Sequence, residues 1–241
     1  MVHIDATNLD YRILNERIRA AKGPCLVTGC LGQRFIGTGL QKGTITLSGG
    51  VPGNALGAYL NGATLVVEGN AQDAVGDTMN DGSIVIRGSV GDTAGYAMRG
   101  GSIYVRDDAG YRAGIHMKAY RDKVPVMVIG GRAGSFLGEY QAGGVLVVLG
   151  LGEGQAPIVG DFPCTGMHGG KLILRTGLGS VRFPDQVTAR PAGPDDMEEI
   201  GRYAAEYARL FGGDPGEILN APFTVVTPDS RNPYRQMYVA N

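Results

Sequence analysis

The stretch Gly53-Asn-Ala-Leu-Gly-Ala-Tyr-Leu-Asn-Gly62 recurs, with related residues, every 19 positions along the chain. Its counterparts are Gln72-Asp-Ala-Val-Gly-Asp-Thr-Met-Asn-Asp81, Gly91-Asp-Thr-Ala-Gly-Tyr-Ala-Met-Arg-Gly100 and Gly110-Tyr-Arg-Ala-Gly-Ile-His-Met-Lys-Ala119. Three kinds of position stay in step: a glycine, the aliphatic residue before it, and a Leu or Met three residues after it. They are Gly57, Gly76, Gly95 and Gly114; Leu56, Val75, Ala94 and Ala113; and Leu60, Met79, Met98 and Met117. A fixed period of this length indicates a repeat architecture.

A short apolar segment follows each repeat. In each segment two apolar residues are two positions apart, so both lie on one side of a strand. The pairs are Ile45/Leu47, Leu65/Val67, Ile84/Ile86, Ile103/Val105, Val126/Val128, Leu146/Val148 and Leu172/Leu174. Their first members recur after 20, 19, 19, 23, 20 and 26 residues. The strands therefore keep the period of the glycines.

Three apolar series in one period predict a coil with three short sides and glycine at its corners, where φ is positive or backbones approach closely. We predict an all-β fold: a right-handed, single-stranded, three-faced β-helix (solenoid) of about seven coils, with flanking N- and C-terminal helices. A β-sandwich does not explain a fixed 19-residue step at three independent positions. A β-propeller blade needs about twice this period.

Composition excludes several other classes of protein. The 241 residues include 41 glycines without a Gly-X-Y period, which argues against collagen. The formal net charge of -1 favours neither nucleic acid nor an anionic membrane as a partner. We expect no secretory signal and no membrane span. The three cysteines Cys25, Cys30 and Cys164 are typical of free thiols in a reducing cytoplasm.

The repeat divides the chain into three regions: a cap at 1–24, the β-helix at 25–190, and a helix with an extended tail at 191–241. The first helix is predicted over Thr7–Gly23, capped by Thr7 or Asn8, with Ile13, Leu14, Ile18 and Ala21 as its apolar stripe. The second is predicted over Asp195–Gly212, with Asp195 as its cap and Ile200, Tyr203, Ala204, Tyr207 and Leu210 on one side.

The apolar tail carries Pro222, Phe223, Pro228, Pro233, Tyr234, Met237 and Tyr238, and either its own chain or a neighbouring subunit could receive it. Two interruptions stretch the repeat, at Lys118–Val124 and Gly150–His168. Such insertions are either solvated loops or places where solenoids contact partners. We expect function where the repeat breaks.

A search for chemistry yields no catalytic, cofactor-binding or metal-binding residues. Gly130–Gly134 and Gly150–Gly154 are rich in glycine, but neither opens a predicted helix and neither is followed by Lys-Ser/Thr. Cys164 and His168 could supply two metal ligands, but no third or fourth ligand is evident in the sequence.

The chain resembles the C-terminal β-helix domain of the glutamate synthase large subunit, often called the GXGXG domain. The resemblance covers roughly residues 25–176 and is most specific in Leu65-Val-Val-Glu-Gly-Asn-Ala-Gln-Asp-Ala-Val-Gly76. The structural motif residues are Gly53, Gly57, Gly62, Glu68, Gly69, Asp73, Gly76, Gly82, Gly88, Gly91, Gly95, Gly110, Gly114, Gly134 and Gly138. The β-helix component of formylmethanofuran dehydrogenase resembles the same repeat. The sequence departs from the large-subunit pattern at Asp161–His168, in its N-terminal helix and in its long tail.

The resemblance implies a non-catalytic subunit of a glutamate synthase-type oxidoreductase that forms glutamate from glutamine. Its partners would be a glutaminase-type amidotransferase and a synthase subunit that carries the FMN and iron–sulfur clusters, with no cofactor in this chain. N-methylglutamate synthase, a formylmethanofuran dehydrogenase or formyltransferase/hydrolase-type complex, and a free-standing enzyme such as an esterase remain as alternatives.

Overall fold

The structure is a computed structural model that describes residues 1–152 and 156–229. It contains eleven strands and three helices within those ranges. In chain order they are β1 (Val2–Asp5), α1 (Tyr11–Ala20), β2 (Cys25–Thr28), β3 (Thr44–Ser48), β4 (Asn61–Val67), β5 (Asp81–Ile86), β6 (Ser102–Val105), β7 (Val126–Ile129), β8 (Ala142–Val148), β9 (Gly169–Leu174), β10 (Val187–Pro191), α2 (Pro194–Phe211), α3 (Pro215–Leu219) and β11 (Thr224–Pro228).

The strands form one sheet in the order β1-β2-β3-β4-β5-β6-β7-β8-β9-β11-β10. Each of the first eight strands pairs in parallel with the next, and the partners lie one coil apart: Leu65 pairs with Ile84, and Ile84 with Ile103. A chain that returns in parallel after every turn is a β-solenoid. The protein is a right-handed β-helix of about seven turns, which confirms the predicted fold.

The second side of the coil is only one bridge wide. Isolated parallel bridges join the same position in successive coils, as in Ala71 to Val90, Val90 to Ala109 and Ala109 to Ala133. This short side explains why the sequence shows strand pairs on one side only, since a single paired residue leaves no alternating pattern to detect.

The third side is a turn segment in which every second residue has a positive φ. In one coil these residues are Ala74 (φ 56°), Gly76 (69°) and Thr78 (50°). We number the coils 1 to 7 by their segments, which begin at Phe35, Ala55, Ala74, Thr93, Arg112, Phe136 and Phe162. Adjacent backbones bond in both directions: the Gly76 N–H donates to Leu56 O (2.8 Å) in the coil before, and the Thr78 N–H to Tyr96 O (2.7 Å) in the coil after.

The predicted apolar series stack inside the solenoid as continuous ladders. The side chains of Leu60, Met79, Met98 and Met117 are completely buried, as are those of Leu56, Val75, Ala94 and Ala113. At the next equivalent position of the first ladder, 24 residues on, lies Gln141, also completely buried. Its amide nitrogen donates to Gly144 O (3.1 Å) and Gly143 O (3.2 Å), so a polar residue replaces methionine there.

One strand is shifted by a residue from the sequence prediction. The inward pair of β7 was expected to be Val126/Val128, but Met127 and Ile129 pair with Ile103 and Val105 and continue the core ladder. Val128 lies on the outer side of the sheet, buried beneath α2. All four residues of β7 are apolar, so the sequence alone does not show which two of them face the core. A shift of one residue exchanges the two faces of a strand.

Helix α1 covers the N-terminal end of the solenoid and is shorter than the predicted Thr7–Gly23. Asp10 is its cap, since its carboxylate accepts from the Arg12 N–H (2.8 Å); the predicted caps Thr7 and Asn8 lie outside the helix. Leu14 and Ile18 pack into the core, but Ile13 is 45% exposed and does not belong to the buried stripe. Strand β1 precedes the helix and pairs with β2, so the sheet begins within residues 1–24.

Helix α2 lies along the outer side of the sheet rather than across its end. It runs over Pro194–Phe211, and Ile200, Ala204 and Tyr207 pack on outward-facing residues of β6 to β9. Asp196, rather than the predicted Asp195, accepts from the backbone N–H of Gly193, the residue before the helix (2.9 Å). The predicted helix and its apolar side are therefore found, with a different capping residue.

The first part of the tail folds onto its own chain. Strand β11 inserts antiparallel between β9 and β10, and Phe223 is buried in the cluster beneath α2. Shortly before β10, Val181 and Phe183 pack against the last coil and cover the C-terminal end. Pro233, Tyr234, Met237 and Tyr238 lie outside the described residues. No helix in the described ranges is long and apolar enough to cross a lipid bilayer.

Candidate functional site

The motif glycines occupy two different backbone environments. Gly76 represents the first: its φ is 69°, and a Cβ there would lie 2.5 Å from Cδ1 of Ile103 inside the core. Gly57, Gly95, Gly114 and Gly138 occupy the same place in their coils. Gly53 represents the second, because a Cβ would lie 2.2 Å from the carbonyl oxygen of Gly32 in the adjacent coil. A Cβ at Gly91, Gly110 or Gly134 would likewise lie 2.0, 2.2 or 2.7 Å from an atom of the adjacent coil.

The remaining motif glycines differ in how much space surrounds them. Gly62 and Gly82 have positive φ and contact the backbone of the preceding coil, and Gly88 lies against Asn70 and Gly69. Gly69 has no such constraint, since a Cβ there would meet only the Gly50 carbonyl at 4.0 Å. The geometry therefore gives no steric reason for glycine at 69.

Glu68 and Asp73 each connect their coil to the next. Oε2 of Glu68 lies 3.2 Å from Nε of Arg87, its counterpart 19 residues on, in an ion pair without hydrogen-bond alignment. Oδ1 of Asp73 accepts from the Asp92 N–H (2.9 Å), and Asp92 repeats the contact with the Tyr111 N–H (2.8 Å). Asp73 and Asp92 satisfy backbone donors at the corners, and Glu68 pairs with a side chain, so all three make coil-to-coil contacts.

The first interruption folds back along the solenoid instead of extending into solvent. Tyr120 and Lys123 close a small hairpin, and Nζ of Lys123 reaches Asp81 (2.6 Å) two coils earlier. The second interruption is shorter than the expected Gly150–His168. Val159 already pairs with Ala133, and Phe162, Cys164 and Gly166 repeat the positive-φ pattern of a regular coil. The divergent stretch Asp161–His168 is therefore a standard coil of this fold.

A charged cluster anchors the start of α2. Nη1 of Arg190 lies 2.5 Å from Oδ2 of Asp196, and Nζ of Lys171 lies 2.6 Å from Oε2 of Glu199 and 3.7 Å from Asp196. The hydrogen bond from Arg190 lowers the pKa of Asp196 to about 2, although burial alone would raise it. The carboxylate stays ionised at neutral pH and fixes the helix to the sheet.

Polar groups of the coils also fasten the other end of α2 and the following α3. Arg87 donates to the Leu210 carbonyl (2.6 Å), and Tyr207 donates to the Arg106 carbonyl (2.7 Å). Arg175 donates to the Ile218 carbonyl (2.7 Å) in α3. These arginine and tyrosine side chains donate hydrogen bonds to backbone carbonyls of helices and strands. The outer helices are therefore held by hydrogen bonds as well as by apolar packing.

The cysteines are buried thiols without a metal-site geometry. All three are free, and burial raises the pKa of Cys30 to about 11 and that of Cys164 to about 12. The imidazole Nδ1 of His168 lies 3.0 Å from the Gly166 carbonyl. Within residues 1–152 and 156–229, no group of three or more His, Cys, Asp or Glu side chains could hold a metal ion.

Comparison with known proteins relates this geometry to one family. The GXGXG motif family matches residues 5–191. An uncharacterized protein of Methanocaldococcus jannaschii is 43% identical over 250 residues, covering 98% of this chain and 96% of that protein. A solved structure, the formyltransferase/hydrolase complex from Methylorubrum extorquens in complex with methylofuran, contains a chain of the same fold. That chain matches with a TM-score of 0.63 at 19% identity, over 92% of this chain and 89% of its own length.

Proposed function

Because the chain belongs to the GXGXG motif family, we propose that it is a non-catalytic structural subunit of a multi-subunit enzyme complex. The observation that carries the proposal is the similarity over nearly the whole length of two chains, one of which is part of a solved multi-subunit complex. Eight parallel strands from β2 to β9, at about 4.8 Å each, give a rod of roughly 34 Å. Such a rod can hold two partners at a fixed separation. Its three unpaired cysteines favour a cytoplasmic site.

Our first candidate is a glutamate synthase-type oxidoreductase. The stretch Leu65–Gly76 supports it, because it resembles the β-helix domain of that enzyme at Glu68, Asp73 and Gly76. This chain would then brace a glutaminase-type amidotransferase against a synthase subunit that carries FMN and iron–sulfur clusters. N-methylglutamate synthase belongs to the same group of assemblies.

Our second candidate is a formyltransferase/hydrolase-type complex. The observation that favours it is the similarity to a chain of that solved complex over 92% of the present chain. In this case the partners would be hydrolase and formyltransferase subunits rather than flavoproteins. The two candidates predict different partners, so the partners decide between them.

Purification of the tagged full-length chain from its native cells tests the proposal. We expect at least two stoichiometric partners, and no glutaminase, formyltransferase or esterase activity in the chain alone. A flavin spectrum together with iron–sulfur absorption supports the first candidate. A colourless assembly with formyl-transfer activity supports the second. A chain that remains a 25.2 kDa monomer without partners, or is active alone, contradicts the proposal.

A further inference from the structure

On the outer side of the sheet, the residue type of each strand depends on whether another element covers that strand. In β6 to β9 most outward residues are apolar and lie beneath α2, among them Tyr104, Val128, Val147 and Ile173. Lys171 is charged, and it pairs with Glu199 of that helix. In β3 and β4 the sheet extends beyond α2, and its outward residues are Thr44, Thr46, Thr64 and Val66. Apolar residues thus face outward mainly where another element buries them, as expected from the cost of exposing apolar surface.

On the turn-segment side of coils 5 to 7, by contrast, large aromatic residues are exposed to solvent. Its outward residues form an aromatic patch, which we define as Tyr111, Arg112, His116, Phe136, Tyr140 and Phe162. The rings of His116 and Tyr140 stack with centroids 5.2 Å apart, and those of Phe136 and Phe162 at 5.3 Å. Tyr111 is 54% exposed and Phe162 is 65% exposed. These two rings are exposed in the part of the chain that the structure describes, and beside Phe162 the segment 180–186 lines one edge of the patch.

At the first position of the segment, coils 2 and 3 carry alanine where coils 6 and 7 carry phenylalanine, so a ring there is not required by the turn geometry. Coil 1 also has an aromatic residue at this position, Phe35, and Tyr59 of coil 2 lies at the position of Tyr140. Phe136 corresponds to Ala55 and Ala74, which adopt the same positive φ without an aromatic ring. The side chains of the patch also contact one another. Arg112 lies 4.6 Å above the Phe136 ring, and its Nε bonds Glu139 at 3.0 Å. Ordered rings lose little entropy on binding, and Tyr and Arg dominate binding energy at interfaces.

The charges in and around the patch indicate which kind of molecule binds there. Within the patch the Arg112 charge is matched by Glu139, which disfavours nucleic acid. On the same side, coils 3 and 4 carry Asp73, Asp77 and Asp92. A second copy packed side by side in the same direction would bring these acidic coils together and be repelled. A different protein with Lys or Arg opposite them would be attracted.

The surface area of the patch is also too small to hold two copies of this chain together without further contacts. Three coils at about 4.8 Å, crossed by a six-residue segment, present roughly 250 Å². A stable interface takes about 800 Å² from each partner. The patch therefore has the size of the centre of a larger interface rather than a complete one.

We infer that the aromatic patch is the docking site for a partner subunit of the complex. The partner's contact has an uncharged centre of aliphatic or proline side chains, with basic residues toward coils 3 and 4. This inference rests on the proposed function and deepens it by naming the surface that the partner binds.

Site-specific photo-crosslinking in the intact complex tests the inference. A benzophenone amino acid replaces Phe162, and in a matched control it replaces Tyr59, which is 54% exposed on the same side in coil 2. We expect the Phe162 position to crosslink to one uncharged segment of one partner subunit, and the Tyr59 position to give at least ten-fold less of that product. Crosslinks between two copies of this chain, or equal yields from both positions, overturn the inference.

Paired substitutions give an independent measurement. We expect Tyr111→Ser with Phe162→Ser to weaken the affinity for that partner at least ten-fold, without lowering the melting temperature, and Tyr59→Ser to leave it unchanged. If the double variant retains the partner with wild-type affinity, the patch is not the docking site, although the proposed function stands. If the wild-type chain binds no partner, both proposals fail.

Discussion

Thirteen residues other than glycine adopt positive φ in the seven turn segments, including Ala55, Tyr59, Ala97 and His116. This conformation costs roughly 1–2 kcal/mol for each such residue. Segments that lie between two coils also gain hydrogen bonds to both of them, and those bonds maintain the conformation. Alternation of this kind is invisible in the sequence, because only the middle position is glycine in most coils.

We predict that Ala97→Gly stabilises the protein by about 0.5–1 kcal/mol. Glycine removes the strain at φ 49° but loses more chain entropy on folding, which leaves a small net gain. Ala94→Gly is the matched control: Ala94 is completely buried three residues earlier and has no positive φ, so we expect destabilisation. Urea denaturation midpoints measure both, and a destabilised Ala97→Gly protein would contradict the account of strain.

We predict that Met98→Asp abolishes soluble folding. The side chain is completely buried between Met79 and Met117, and an unpaired charge there is far more costly than the chain's marginal stability allows. Met98→Leu keeps the volume and should cost less than about 1.5 kcal/mol. Soluble yield and circular dichroism compare the two, and a soluble, folded Met98→Asp protein would contradict the ladder.

At the scale of elements, α2 depends on one ionised carboxylate. Because the pKa of Asp196 is lowered to about 2, the native state favours the ionised form relative to the unfolded chain. Its contribution to stability is therefore full above about pH 4 and lost as pH falls toward 2. Protonation breaks the ion pairs of Asp196 with Arg190 and Lys171, which connect the helix to the sheet.

We predict that Asp196→Asn lowers stability by about 1–3 kcal/mol at pH 7, because Arg190 loses its charged partner. The difference from wild type should shrink between pH 4 and pH 2. Asp195→Asn, at the exposed neighbouring carboxylate, should change stability by less than about 0.5 kcal/mol. Denaturation midpoints from pH 2 to pH 7 test this, and a difference that does not vary with pH would refute the role of Asp196.

Sequence patterns predicted the elements whose contacts are local and periodic. The helical spacing of Ile200, Ala204 and Tyr207 located α2, and the 19-residue step located most strands. The shift at Met127 and the insertion of β11 between β9 and β10 were missed. Both depend on pairings between distant segments, which a local pattern does not contain.

At the scale of the whole molecule, the covers at the two ends distinguish this chain from an open solenoid. Leu14 and Ile18 of α1 cover the first coil, and Val181 and Phe183 pack at the last. Covered ends prevent the coils from stacking on further copies. The sides are therefore the surfaces left for partners.

The aromatic patch lies only partly where the sequence pattern pointed. Function was expected where the repeat breaks, and this stays a prediction. Phe162 falls within Gly150–His168, the stretch that the sequence pattern marked as an interruption, whereas the structure places it in a regular coil. Its signal in the sequence was the change from Ala55 and Ala74 to Phe136 and Phe162 at one repeat position. A change of residue type at one repeat position does not by itself show which side chains point outward, so the three-dimensional arrangement was needed to identify it.

The central claim is that this chain joins enzymes without catalysing a reaction itself. The most direct measurement is the activity of its purified complex before and after the chain is removed, and after it is added back. We predict that the partner subunits keep their separate partial reactions, that the combined reaction falls at least ten-fold, and that the chain alone restores it. A combined reaction that proceeds undiminished without this chain, or a partial reaction catalysed by the chain alone, would contradict the claim.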